Sequence, residues 1–322
     1  MTSDPAASGN TSPGRPSAGV DPDTLMRIKS LKLRAKTVVE GFFSGLHRSP
    51  THGSSIEFSE YRAYVPGDDL RSLDWKLYAR SDRYFVKKFE DETNRRCYLI
   101  VDQSRSMSFG SLEYSKIDYA RTVAATLAYF LTTQHDAVGV LTFDVEIGDF
   151  VPAKIGAKHF HQILVELSRP AEGRGTDIDA PLRQVASLVP RRGLVILISD
   201  LLAHPDTLQT QLASLRARGH EVVLLRVLDP SELDLQLQSP SMVQDIETGK
   251  QIYVDPESAK KRYQEQFEQH RQQVQTICSN TGVGYYEMST DQPLDRALSS
   301  LIDARNRLGG GGNRAMNGGR RR

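Results

Sequence analysis

Cysteine is almost missing from this chain: Cys97 and Cys278 are its only two, too few for a disulfide framework or a metal cage of their own. They read as small buried hydrophobes. An excess of charge of one sign is also lacking. Lys and Arg number 41 against 40 Asp and Glu, a formal net charge of +1, so nothing global points to nucleic acid or a membrane surface. The Arg320, Arg321, Arg322 run follows a glycine stretch and reads as a solvated tail. Long apolar runs are absent. The longest, 193–202, is interrupted by Ser199 and Asp200 and falls short of the roughly 20 residues that span a bilayer. The N-terminus has no apolar segment of the signal-peptide kind. Together these absences predict a cytoplasmic protein with no membrane span and no nucleic-acid partner.

What is present is enough chain, 322 residues, to bury a sizeable core. Residues 1–22 are rich in Ser, Pro, Gly and Ala and read as a disordered tail, as do 309–322. The segment 23–95 reads as a basic helix over 24–46, a compact polar stretch and a strand near 83–89, packing on the main domain. Residues 96–308 alternate strand and helix. Strands are expected at 97–101, 137–143, 194–198, 221–227 and 284–288, with 145–151 as a hairpin partner. Helices are expected at 116–134, 159–167, 180–188, 208–218, 259–278 and 294–308. The first of these puts Ile117, Ala120, Ala124, Leu127 and Leu131 on one face, with Ser115 and Asp118 as a capping pair. The stretch 228–258 breaks the rhythm and reads as a loop or hairpin insertion. Such alternation predicts an α/β fold, a mostly parallel sheet with helices on both faces.

In sheets of this kind ligands sit outside the carboxyl ends of the strands, where this sequence places unusual polar residues. The first strand runs into Asp102-Gln-Ser104-Arg-Ser106, and the strand 194–198 ends in Ser199-Asp200. Between them Gly173-Arg-Gly175-Thr176-Asp177 forms a glycine-bearing loop before a helix. Carboxylate, hydroxyl and water oxygens suit a hard cation, Mg²⁺ above all, with Mn²⁺ and Ca²⁺ as alternatives. Few carboxylates would leave such an ion with residual charge and an open position. An acidic group from a partner could fill it. Asp144 and Asp177 lie near the same edge. The eight histidines show no metal-binding spacing, and His159 and His161 read as surface residues. The bland alternative is a set of polar residues that only hydrogen-bond their loops.

Asp102-x-Ser104-x-Ser106, Thr176 and Asp200 resemble, in chain order, the metal-ion-dependent adhesion site of von Willebrand factor A domains. The upstream residues are more specific. His47-Arg-Ser49, Gly53, Glu57-Phe58, Tyr61-Arg62, Tyr64-Val-Pro-Gly67-Asp68-Asp69, Arg71, Asp74-Trp75 and Ala79-Arg80 resemble the bacterial domain-of-unknown-function family fifty-eight. Leu228-Asp229-Pro230 and Asp245-Ile-Glu247-Thr-Gly249 fit the same group. The likeness spans roughly 25–307. It implies a von Willebrand A-like, Rossmann-like domain and, as partner, a MoxR-type AAA+ ATPase.

For the cluster Asp68, Asp69, Arg71, Asp74, Trp75 and Arg80, two readings stand: a structural ion-pair network, or a docking surface anchored by Trp75. The functional expectation is a non-enzymatic, cation-dependent protein-interaction module, an adaptor or partner of such an ATPase. The alternative is a metal-dependent phosphohydrolase, since a strand-end aspartate also opens the haloacid-dehalogenase type of site. That chemistry wants a second aspartate two residues on, where this chain has Ser104. No P-loop, no G-x-G-x-x-G after a strand and no G-x-S-x-G is present.

Overall fold

The computed structural model of the chain describes residues 19–48, 61–63, 85–87, 96–144, 146–171, 179–189, 192–202, 204–235, 241–244, 251–254 and 256–311. The tail at 1–18, the cluster at 68–80 with Trp75, and residues 312–322 lie outside them.

Two helices open the described chain, α1 (Pro22–Met26) and α2 (Leu31–Arg48). The sequence predicts one continuous helix here, and the structure breaks it at 27–30. Pro22 at the start of α1 and the Asp21 side chain accepting from Thr24 N define a short separate turn. The carbonyls freed by the break are taken by Arg34. Its guanidinium donates to Met26 O at 2.7 Å and Ile28 O at 2.5 Å, and to Thr122 Oγ1 at 3.3 Å. Strands β1 (Tyr61–Ala63) and β2 (Phe85–Lys87) pair antiparallel, the second inside the strand expected there.

The main sheet comprises β3 (Arg96–Asp102), β4 (Ala137–Phe143), β5 (Val151–Lys154), β6 (Leu194–Ser199), β7 (Glu221–Leu228) and β10 (Gly284–Ser289). Its spatial order is β10-β7-β6-β3-β4-β5, parallel throughout except for the edge strand β5. This is the mostly parallel α/β sheet expected. Helices α3 (Lys116–Thr133), α4 (Ala157–Leu167), α5 (Asp179–Leu188), α6 (Pro205–Ala217) and α8 (Pro256–Thr281) alternate with the strands, and α9 (Asp295–Gly311) ends the chain's regular structure. The stretch expected as an insertion holds the single turn α7 (Pro230–Leu233) and the hairpin β8 (Ser241–Gln244) with β9 (Gln251–Val254).

Strand alternation splits the apolar residues into two cores. Cys97, Leu99 and Val101 of β3 face α2, α3 and α9 with Ile196, Ile198 and Val223. Tyr98 and Ile100 face the other way, with Leu197, Leu224, Leu208, Leu212 and Cys278. Every residue of β6 is buried, as a strand covered on both faces requires. Each of its Leu and Ile side chains contributes roughly 1.5–3 kcal/mol by burial. Helix α3 carries the predicted capping box, Ser115 with Asp118, and buries all five residues of its predicted apolar face. Both cysteines are buried, and neither forms a disulfide.

Two local expectations are corrected. His159 is not a surface residue: it is buried on α4, and its Nε2 lies 2.7 Å from Val138 O. The hairpin partner of β4 begins at Val151, where the expected strand ended. Before it, Asp144 Oδ1 accepts from Glu146 N and Gly148 N donates to Thr142 O.

Candidate cation site at the carboxyl edge of the sheet

Strand β3 is the point where the winding reverses: its neighbours are β4 on one side and β6 on the other. A cleft forms at such a switch point because the two crossovers leave in opposite directions. Asp102 is the last residue of β3, and Ser199-Asp200 closes β6 beside it.

Asp102 is wholly buried. Its Oδ1 accepts from Ser104 N at 2.8 Å and its Oδ2 from Ser199 Oγ at 2.6 Å. Ser199 Oγ in turn accepts from Leu201 N at 2.9 Å. Leu201 itself adopts φ +57°, a left-handed backbone that costs a non-glycine residue about 1 kcal/mol or more. After Asp102 the chain turns through a 3₁₀ segment, Arg105–Ser108, with Ser104 at its N-cap. The Ser104 and Ser106 Oγ atoms lie 3.1 Å apart, both buried.

Asp200 is also wholly buried, and its Oδ2 is 2.8 Å from the Nζ of Lys116. The same ammonium lies 2.5 Å from Glu232 Oε1. Burial pulls the lysine toward its neutral form, but Asp200 and Glu232 outweigh it and hold Lys116 above the ordinary lysine range. Glu232 is fixed by the α7 turn, where its Oε2 accepts from Asp229 N at 2.8 Å. Asp229 accepts from the backbone and hydroxyl of both Ser111 and Ser231. Beneath Asp200, the buried Arg226 donates to its carbonyl at 3.1 Å.

Asp200 and Glu232 thus share one ammonium, and Asp102 stands beside Asp200 outside that pair. Asp102 bears the cost: burial first, then the charge of Asp200, push its pKa up to about 7, against the hydrogen bonds from Ser199 and Ser104. At neutral pH its carboxyl is poised to exchange a proton for another cation.

The donor set fits a small hard ion. Cis ligands of an octahedral Mg²⁺, each at about 2.1 Å, stand about 3 Å apart, close to the spacing of the two serine hydroxyls. Among the described residues no group of three or more His, Cys, Asp or Glu could hold a metal, so an ion here would rest on hydroxyls with one or two carboxylates. The structure brings together Asp102, Ser104, Ser106 and Asp200. Thr176 and Asp177 lie outside the described residues. Asp144 borders a neighbouring cavity rather than joining these hydrogen bonds.

Sequence reasoning missed Lys116 and Glu232, and it noted Ser199 only as a polar residue at a strand end. Lys116 did leave a signal, since it stands four residues before Ala120 and seven before Val123, both buried. A lysine on a helix's apolar stripe has to find a carboxylate partner in the core.

Comparison with known proteins adds the following. A family described as "Protein of unknown function DUF58" matches residues 60–273. An uncharacterized protein of Mycobacterium tuberculosis is 28% identical over 293 residues, covering 89% of this chain and 91% of its own. Among solved structures, an aerotolerance-related membrane protein from Bacteroides fragilis is 17% identical, with a TM-score of 0.46 over 66% of this chain and 99% of that one. The VWA domain of SpRpn10 is 10% identical, with a TM-score of 0.40 over 63% of this chain and 93% of its own. The expectation of a cytoplasmic location is corrected by this set, which includes a membrane protein. No described helix is long and apolar enough to cross a membrane, and that leaves the compartment unassigned.

Proposed function

The chain belongs to the DUF58 family of proteins of unknown function, and from that premise we propose that it is a divalent-cation-dependent protein-interaction module. The observation that carries the reading is the pair of buried carboxylates, Asp102 and Asp200, at the sheet's switch point beside two facing serine hydroxyls. Asp102, Ser104 and Ser106, with Asp200 and Thr176, would hold Mg²⁺ or a similar ion. The ion would supply a Lewis-acidic position for an acidic side chain of a partner. A MoxR-type AAA+ ATPase is the partner class proposed. Lys116 would hold Asp200 in place while the ion is absent.

The test is affinity isolation with the full chain, in Mg²⁺ and in EDTA, alongside Asp102→Ala and Ser104→Ala. The expected result is a partner set present only with Mg²⁺ and lost in both variants. An identical set under all conditions would sink the reading.

The buried ammonium of Lys116 beside Asp200 is the one observation that favours a phosphohydrolase, because it could meet a phosphoryl oxygen. Ser104 stands where the acid/base carboxylate is needed, so this reading ranks second. Turnover of a generic phosphoester, abolished by Asp102→Asn, would reverse the order.

A further inference from the structure

A cation already stands where a divalent ion would act. The ammonium of Lys116 lies 2.8 Å from Asp200 Oδ2, with both side chains out of solvent. The other oxygen, Oδ1, has a long contact, 3.4 Å from Leu202 N. A carboxylate paired in this way keeps little net charge for an arriving ion. Pulling the ammonium away would strand a buried charge without a counter-charge, which is strongly unfavourable. A Lys–Asp pair by itself would therefore close the site to a cation.

Glu232 changes that balance. It is the third residue of α7, in a capping box whose N-cap is Asp229. A capping box sends the N3 carboxylate back to the N-cap amide, and one oxygen is enough: Oε2 accepts from Asp229 N at 2.8 Å. The second oxygen, Oε1, is left for Lys116 Nζ at 2.5 Å. This carboxylate is held in place without help from the lysine. Tyr263 of α8 donates its hydroxyl to Glu232 O at 2.8 Å. Asp229 accepts from Ser111 N at 2.8 Å and Ser111 Oγ at 2.5 Å, which ties α7 to the loop after the Arg105–Ser108 turn. Lys116 is anchored too, as the first residue of α3 beside its N-cap Ser115.

A fixed second carboxylate thus lies against the ammonium. To leave Asp200, Lys116 need only settle on a contact that it already makes. The charges agree with this. Asp200 and Glu232 bring two negative charges to one positive, a balance of −2 + 1 = −1, where the Lys–Asp pair alone would be neutral.

We propose that Glu232 is a positioning residue of the cation site, taking the Lys116 ammonium off Asp200 when a divalent ion binds. The inference rests on the reading of Asp102, Ser104, Ser106 and Asp200 as a cation site. It adds that the site carries its own counter-cation, with two carboxylates to exchange between. It also makes α7 part of the site.

The test is a double-mutant cycle in the full chain, with Mg²⁺ affinity read by calorimetry at one pH and one ionic strength. Glu232→Gln keeps an oxygen for the capping box but gives up the ion pair with Lys116. It should weaken Mg²⁺ binding by roughly tenfold, the worth of one charge-assisted hydrogen bond. Lys116→Met removes the competing cation and should tighten binding by roughly tenfold. Within Lys116→Met, Glu232→Gln should then cost less than about threefold. A glutamate that only attracts the ion through space would cost the same factor in both backgrounds, and that equality would overturn the proposal. A second readout needs no variant: a crystal structure of the unmodified chain with Mn²⁺ bound. Lys116 Nζ is expected on Glu232 Oε1 and beyond hydrogen-bond reach of Asp200. An ammonium still bonded to Asp200 beside the bound ion would overturn the proposal and leave the cation reading standing. Absence of saturable binding in both the unmodified chain and Lys116→Met would remove the cation reading, and this inference with it.

Discussion

Lys116 is the residue on which the site's electrostatics turn. Its ammonium faces Asp200 and Glu232 from a fully buried position. Removing one member of a buried ion pair leaves the other charge uncompensated, a cost of about 3–5 kcal/mol. Glu232 retains some exposure, so Lys116→Met is expected at the lower end, about 3 kcal/mol, in urea unfolding without divalent ions. Mg²⁺ should recover part of that loss by taking over Asp200. Equal stability of variant and parent in EDTA would mean that the pair contributes nothing. Individual residues were the least legible part of the sequence. Asp102, Ser104, Ser106 and Asp200 could be read because strand ends and short spacing expose them. Glu232 could not be, because its partner is 116 residues away. His159 was misread for the same reason: its acceptor is a carbonyl of β4, invisible to helical periodicity.

Whole elements were more legible, because period and burial follow from each stretch of chain by itself. The apolar run of β6 and the capping box of α3 needed no tertiary knowledge. The break between α1 and α2 did need it, since Arg34 supplies the donors that make the interruption tolerable. The edge strand β5 also depends on a long-range fit. Gly139 of β4 lies where the register with β5 is irregular, and a Cβ there would come within 2.9 Å of Ala153 N and Val151 O. Backbone cannot yield as a side-chain tip can, so Gly139→Ala should push β5 off the sheet and destabilise by about 1–3 kcal/mol. Hydrogen exchange would show this as lost protection confined to 151–154. Unchanged protection there would mean that the strand shifts without detaching.

At the scale of the molecule, the sheet order sets one switch point and thereby decides where chemistry can gather. The same edge holds the serine hydroxyls and the buried ammonium. The central claim is that a divalent ion belongs between Asp102 and Asp200, and the carboxyl of Asp102 offers the most direct test. Burial and the charge of Asp200 raise its pKa to about 7, so below that pH an arriving ion must displace its proton. Affinity should therefore fall as pH drops through 7 and level off above it. The decisive measurement is calorimetric titration of Mg²⁺ into the metal-stripped chain at pH 6, in buffers of different ionisation enthalpy. Saturable binding with release of up to one proton per ion, abolished by Asp102→Asn, is the predicted result. Absence of saturable heat, or binding without proton release that survives Asp102→Asn, would contradict it.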